Sequence, residues 1–230
     1  MKIQNFIFCW NSYVPEALSM DRELSRIGKT TVVNSCTSFD YGRWINIDDG
    51  YFSEQWNTLL SNIDDDTDFV FHIQSDAKCP DFEKLFSLFR EAAGLCNIGV
   101  YAPDVDFTPC IYDPEKLYHL SKTLCRVPNT DCTCWFIRAS LLREGRRPLF
   151  NINTNKYGWG VDWYYIARSH LENLEVLRDY GIQVRHPRGR NYNDAAAHRH
   201  FMNWIFEQDI EIMEKIDVLM GVYEPLRLKI

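Results

Sequence analysis

Phe69-Val70-Phe71-His72-Ile73-Gln74-Ser75-Asp76 decides the fold. An apolar run of this length, preceded by the acidic turn Asp64-Asp65-Asp66 and closed by polar residues, reads as a buried strand. Downstream, Pro80 to Leu95 sets Phe82, Leu85, Phe86 and Phe89 on one side of a helix that has proline at its start. Ile98 to Tyr101 then returns as a strand. Upstream, Ile3 to Cys9 is a first strand, Pro15 opens a helix that ends at Gly28, and Thr30 to Asn34 is a β-branched second strand. This βαβ opening is parallel and right-handed by the ordinary rule for such units. Trp44 to Ile47 is a weak strand and Tyr51 to Ile63 a helix with Phe52, Trp56, Leu59, Leu60 and Ile63 on its inner face. The alternation through Tyr101 describes a doubly wound α/β sheet, whose ligands gather beyond the carboxyl ends of its strands.

Beyond Tyr101 the pattern changes. Pro103 to Pro128 reads as proline-rich and aromatic loops, Cys132 to Ile137 as a late strand, Trp163 to Leu177 as a helix, Ile182 to Arg185 as a short strand and Asp194 to Leu219 as one long helix. We expect a single domain over 1–230, with ligands gathering at the strand ends of 1–101 and the loop-rich 102–230 recognising an acceptor.

Composition agrees with an ordered globular chain: 230 residues, 46% hydrophobic, 14% aromatic and 25% charged. The residues after Met1 are too few and too polar for a signal peptide, and no apolar run approaches the roughly 20 residues of a membrane span, so a cytoplasmic location is expected. The eight cysteines lack a CxxC pair and fall mostly inside apolar patterns; they read as reduced core residues. A net charge of −7 argues against a generic nucleic-acid binder. It leaves room for a local basic groove where Arg185, His186, Arg188, Arg190, His198, Arg199 and His200 crowd together.

Three places carry candidate chemistry. Asp76, at the tip of a buried strand, is either a turn cap or a carboxylate that reaches a hard divalent cation. In Gly158-Trp159-Gly160-Val161-Asp162, two glycines around a tryptophan make a tight backbone and set Asp162 at the mouth of a helix, as an N-cap or as a general base. In His186-Pro187-Arg188-Gly189-Arg190, the imidazole is a candidate second ligand, and the planar guanidinium forks of Arg188 and Arg190 suit phosphate. The acidic run Asp64 to Asp66 reads as a solvated turn.

Taken in order, from Phe6 to Asn193, these pieces resemble the GT-A glycosyltransferases, in particular the large inverting family that builds bacterial surface polysaccharides. The resemblance implies a Rossmann-like, mostly parallel sheet flanked by helices. It implies donor contacts from Trp10 and Asn11 after the first strand, from Asn57 in the helix beginning at Tyr51, and from Gln74, Ser75 and Asp76, where this chain has Gln-Ser-Asp in place of the family's Asp-x-Asp. The Gly-Trp-Gly-x-Asp stretch is similar to galactosyltransferase-like members, which implies acceptor contacts from Trp159 and Gly160 and makes Asp162 the base. His186 stands where several members have a late metal-binding histidine. The implied cofactor is a divalent cation, Mn2+ or Mg2+, held by Asp76 and His186.

The function so implied is inverting transfer from a nucleoside diphosphate sugar to a glycan or lipid-linked sugar. Two other readings stand beside it: a noncatalytic sugar-nucleotide or glycan-binding module, prompted by the absent first aspartate, and a transferase acting on a modified base of DNA, prompted by the basic stretch after Arg185.

Overall fold

The computed structural model describes residues 1–36, 38–48, 50–143, 149–187 and 193–227, the side chain of Asn11 excepted. The strands are β1 (Ile3–Cys9), β2 (Thr30–Asn34), β3 (Ile45–Asn46), β4 (Phe69–Gln74), β5 (Ile98–Val105), β6 (Tyr118–His119), β7 (Leu124–Arg126), β8 (Cys134–Arg138) and β9 (Glu175–Val184). The helices are α1 (Val14–Ile27), α2 (Phe52–Ser61), α3 (Phe82–Leu95), α4 (Ala139–Arg143), α5 (Val161–Leu171), α6 (Asp194–Ile205) and α7 (Ile210–Leu226). All the strands join one sheet in the order β3-β2-β1-β4-β8-β5-β9-β7-β6.

β3, β2, β1 and β4 run parallel, and so do β5 and β9. β8 enters antiparallel between β4 and β5, pairing Phe71 with Phe136 on one side and Tyr101 with Phe136 on the other. The α/β class read from the sequence is therefore the observed one, and the fifth strand is displaced from the fourth by this insertion. Cys134, Trp135, Phe136 and Ile137 are all fully buried, which is why β8 is stable only in the middle of the sheet.

Side chains alternate faithfully between the two faces. Phe6, Phe8, Val70, Trp135 and Ile137 point into a core closed by α2, α5, α6 and α7. Ile7, Cys9, Phe71, Ile73 and Phe136 point into the other, under α1 and α3. The second core is an aromatic stack in which Phe89 lies face to face with Phe136 at 4.0 Å. The eight cysteines are free, as reduced core residues would be. His72 is enclosed by Phe8, Phe52 and Trp56, and burial brings its pKa down to about 3, so it is a neutral packing residue.

Several boundaries differ from the sequence expectation. The helix expected over Trp163 to Leu177 ends at Leu171, because Asn173 takes a left-handed conformation (φ 55°) and the chain turns into β9. The long helix expected from Asp194 to Leu219 is two helices, broken where Asp209 caps α7. The segment expected to be loops carries the short strands β6 and β7. Among the described residues no helix is long and apolar enough to cross a membrane.

Candidate active site

The carboxyl ends of β1, β4 and β9 meet at one edge of the sheet. β1 leads to Trp10, whose N–H donates to Ser75 Oγ at 3.2 Å. The fully buried Gln55 of α2 donates to the carbonyls of Cys9 and Val33, both at 3.1 Å, which binds the helix to the ends of β1 and β2. Beyond β4 the chain continues through Ser75, whose N–H donates to Phe8 O, to Asp76. There Lys78 and Arg185 exchange backbone hydrogen bonds at 2.7 and 3.0 Å. That bridge draws the end of β9 across to the end of β4 and brings two expected partners together: His186 Nε2 lies 3.5 Å from Asp76 Oδ2.

The imidazole is held from its other side. Phe107 O lies 3.3 Å from Nδ1, and Asp106 Oδ1 accepts from the His186 N–H at 2.8 Å. A carbonyl only accepts, so Nδ1 carries a proton and the neutral ring turns the Nε2 lone pair toward Asp76. Two acceptors then face one another, and a proton or a cation between them relieves the contact. Burial lowers the His186 pKa, but Asp76, Asp131 and the Phe107 carbonyl outweigh it and the net shift is upward. Asp76 Oδ1 is buried without a hydrogen-bond partner. A second acceptor oxygen with nothing to accept from, beside an imidazole whose far nitrogen donates to a carbonyl, fits a hard divalent cation. Among the described residues no three His, Cys, Asp or Glu side chains form a complete cage. Two protein ligands match a cation that keeps waters and substrate phosphates for its other positions.

Asp162 comes from another direction. Asn155, fully buried, donates to Trp159 O at 2.9 Å, and Gly160, at φ 101°, caps α5. Asp162 is therefore the second helical residue, not the N-cap. Its Oδ1 accepts from the Trp163 N–H at 2.9 Å. Burial, opposed by that hydrogen bond and reinforced by Asp131, raises its pKa from 3.8 to about 7. A carboxylate tuned to neutrality suits general-base work.

Gly160 can be tested directly. A Cβ there would lie 2.6 Å from the Phe201 ring and 2.7 Å from Trp204, at a φ that strains any L side chain. Gly160→Ala is expected to cost about 2–4 kcal/mol of stability, read as a lower urea midpoint with unchanged slope.

Asp131 is the residue that sequence reasoning missed. It is buried, its Oδ1 accepts from Thr133 N at 3.0 Å, and its charge acts on both His186 and Asp162. It thus lies within electrostatic reach of both halves of the site. Tyr112 fixes the segment before it, donating to Asn129 O at 2.7 Å and accepting from Asn129 N at 3.1 Å. The rule that ligands gather at carboxyl ends directed attention away from Asp131, because β8 is antiparallel and its amino end reaches this edge. An aspartate just ahead of a strand that pairs with β4 was the available signal.

The other expected residues divide clearly. Trp10 and Trp159 are partly exposed and pack against the core beneath α2 and α5. Gln74 is partly exposed at the end of β4. Ser75 is fully buried and accepts from the Trp10 backbone. Asn57 is drawn away from the edge: its amide donates to Phe150 O at 2.8 Å and accepts from Phe150 N at 3.2 Å. Arg188, Arg190 and the Asn11 side chain lie outside the described residues.

The fold is of the GT-A type of α/β domain. No protein-family model matches the chain, and no curated protein matches it in sequence. Solved structures do. S. aureus TarS superposes with a TM-score of 0.61 at 16% identity, over 97% of this chain and 43% of that one. A structure of TarS 1-349 gives 0.58 at 13%, over 97% and 73%. GalNAc-T7 with UDP, GalNAc and Mn2+ gives 0.60 at 7%, over 98% and 55%. The chain thus spans about half the length of the TarS and GalNAc-T7 chains it matches, and at these identities the likeness concerns the fold.

Proposed function

We propose that the protein is a glycosyltransferase that moves a sugar from a nucleoside diphosphate sugar to a hydroxyl of a glycan or lipid-linked acceptor, with inversion and with the help of a divalent cation. The observation that carries this reading is that Asp131 acts electrostatically on both His186, paired with Asp76, and Asp162, whose pKa is raised to about 7. The presence of UDP and Mn2+ with GalNAc-T7 supports it.

In this reading Asp76 and His186 hold Mn2+ or Mg2+, which when bound offsets the charge of the leaving diphosphate. Asp162 takes the proton from the acceptor oxygen as that oxygen attacks the anomeric carbon. The bond from that carbon to the diphosphate oxygen breaks on the opposite face, and its electron pair leaves with the nucleotide. Trp10, Asn11 and Gln74 serve the donor, with Ser75 holding the Trp10 backbone beneath it; Arg188 and Arg190 bind its phosphates, and Trp159 and Gly160 serve the acceptor. Asn57 acts through the position of α2. Cytoplasmic transfer remains part of the proposal.

Gln74, standing where the family has its first aspartate, favours a second reading as a binding module that has lost turnover. A thermal-shift panel of nucleoside diphosphates and their sugars, with Mn2+, Mg2+ or chelator, tests both. The expected result is a rise in melting temperature for one nucleotide that requires the metal, followed by multiple-turnover release of nucleoside diphosphate once an acceptor is supplied. Stabilisation without turnover on any acceptor would favour the binding module, and no response at all would remove the transferase reading and leave a glycan-binding module.

A further inference from the structure

An open hollow of about 650 Å³ lies on the α3 side of the sheet edge and is lined by Lys78, Asp81, Lys84, Ile182 and Arg185 among others, the charged residues being exposed. Three cations face it, each seated against local preference. Lys78 and Arg185 are directly opposed across the backbone bridge that joins β4 to β9, where like charges repel. Lys84 is the third residue of α3, at the helix end whose dipole disfavours a positive charge. The one carboxylate in the lining, Asp81, already accepts from the Lys84 N–H at 2.9 Å as the N-cap. Cys79, also in the lining, has its thiol pushed up to about 12 by burial and is a neutral wall.

An unfavourable arrangement of three cations around one hollow is explained by an anion that occupies it. The cavity is not the donor's phosphate site. Neighbouring residues of an extended chain face opposite ways, so Arg185 turns toward α3 while His186 turns to Asp76. Ile182 belongs to the core under α3, whereas Tyr165 of α5, one turn beyond Asp162, belongs to the other core. We propose that this cavity binds a phosphate group carried by the acceptor glycan, so that a phosphorylated sugar chain crosses the rim from the cavity to the hydroxyl being modified. The hollow is large enough to admit one phosphosugar unit. Three cations around one open hollow, on a protein of net charge −7, fall short of the extended basic track that a nucleic acid requires.

The proposal rests on glycosyl transfer only for calling its ligand an acceptor, and binding tests it independently of turnover. Titrations with glucose 6-phosphate, glucose and single-stranded DNA, in chelator, would compare the wild type with the triple variant K78Q/K84Q/R185Q and with Lys84→Glu. We expect glucose 6-phosphate to bind the wild type and weaken as salt is raised, glucose not to bind, and both variants to lose about tenfold or more in affinity. Melting temperatures should be unchanged or higher, because repulsion is relieved. Equal affinity in variant and wild type, no binding of the phosphosugar, or a preference for DNA over the phosphosugar would overturn the proposal. Phosphosugar binding lost in the variants of a protein that turns over no donor would keep the site and remove the transferase reading.

Discussion

Asp162→Asn is expected to remove glycosyl transfer by ~1,000-fold while making the protein more stable. The two effects share one cause. Burial of the carboxyl holds its folded pKa at about 7 against an ordinary 3.8, so the folded chain keeps the proton more tightly than the unfolded chain does. Stability from this group is complete below pH ~4 and is lost as pH rises through about 7. Above that, the ionised carboxylate costs the fold at most roughly 4 kcal/mol, and less to the extent that its exposed part stays hydrated. Asparagine keeps the shape and never ionises. At pH 8 the variant should therefore melt several degrees higher, whereas at pH 4 the two proteins should melt together. Wild-type turnover should fall as pH drops below about 7, and the residual rate of the variant should not follow that titration. Near wild-type turnover in Asp162→Asn would remove it as the base, and a melting difference that is the same at both pH values would remove the burial argument.

Much of this site was legible in the sequence because strand ends are. The run Phe69 to Ile73 can only be a buried strand, so the residues just beyond it, Gln74 to Asp76, must come out at an edge. The two glycines around Trp159 announced a tight turn, and both take positive φ, 69° at Gly158 and 101° at Gly160. The bridge that brings His186 to Asp76 was not legible: one residue on each chain pairs, Lys78 with Arg185, too short a pattern for periodicity to register. Neither was the antiparallel entry of β8, since a fully apolar run carries no mark of its direction. That one unknown hid Asp131, the carboxylate whose field reaches both His186 and Asp162. Asn57 failed in the opposite way. Its place on α2 was as expected, but a side-chain amide finds the nearest backbone to satisfy, and Phe150 supplied it.

In Asp76→Asn, nucleoside diphosphate should stabilise the protein no better with Mn2+ than with chelator. Asp76 has one oxygen 3.5 Å from His186 Nε2 and the other buried with no donor; the amide places a neutral N–H₂ group where one of those acceptors stood. A cation that depends on a single carboxylate and a single imidazole cannot lose the only anionic protein ligand and keep its affinity. For wild type at a nucleotide concentration about 100 times its dissociation constant, linkage supplies about 2.7 kcal/mol, or roughly 5–10 °C for a domain of this size, and most of that rise should vanish. His186→Ala should lose the same increment. The two variants together should lose little more than either alone, because both remove one shared cation and so are not additive. Metal-dependent stabilisation that persists in both would mean that the cation is held elsewhere, and the pair would then be an ordinary carboxylate–imidazole contact at the end of the sheet.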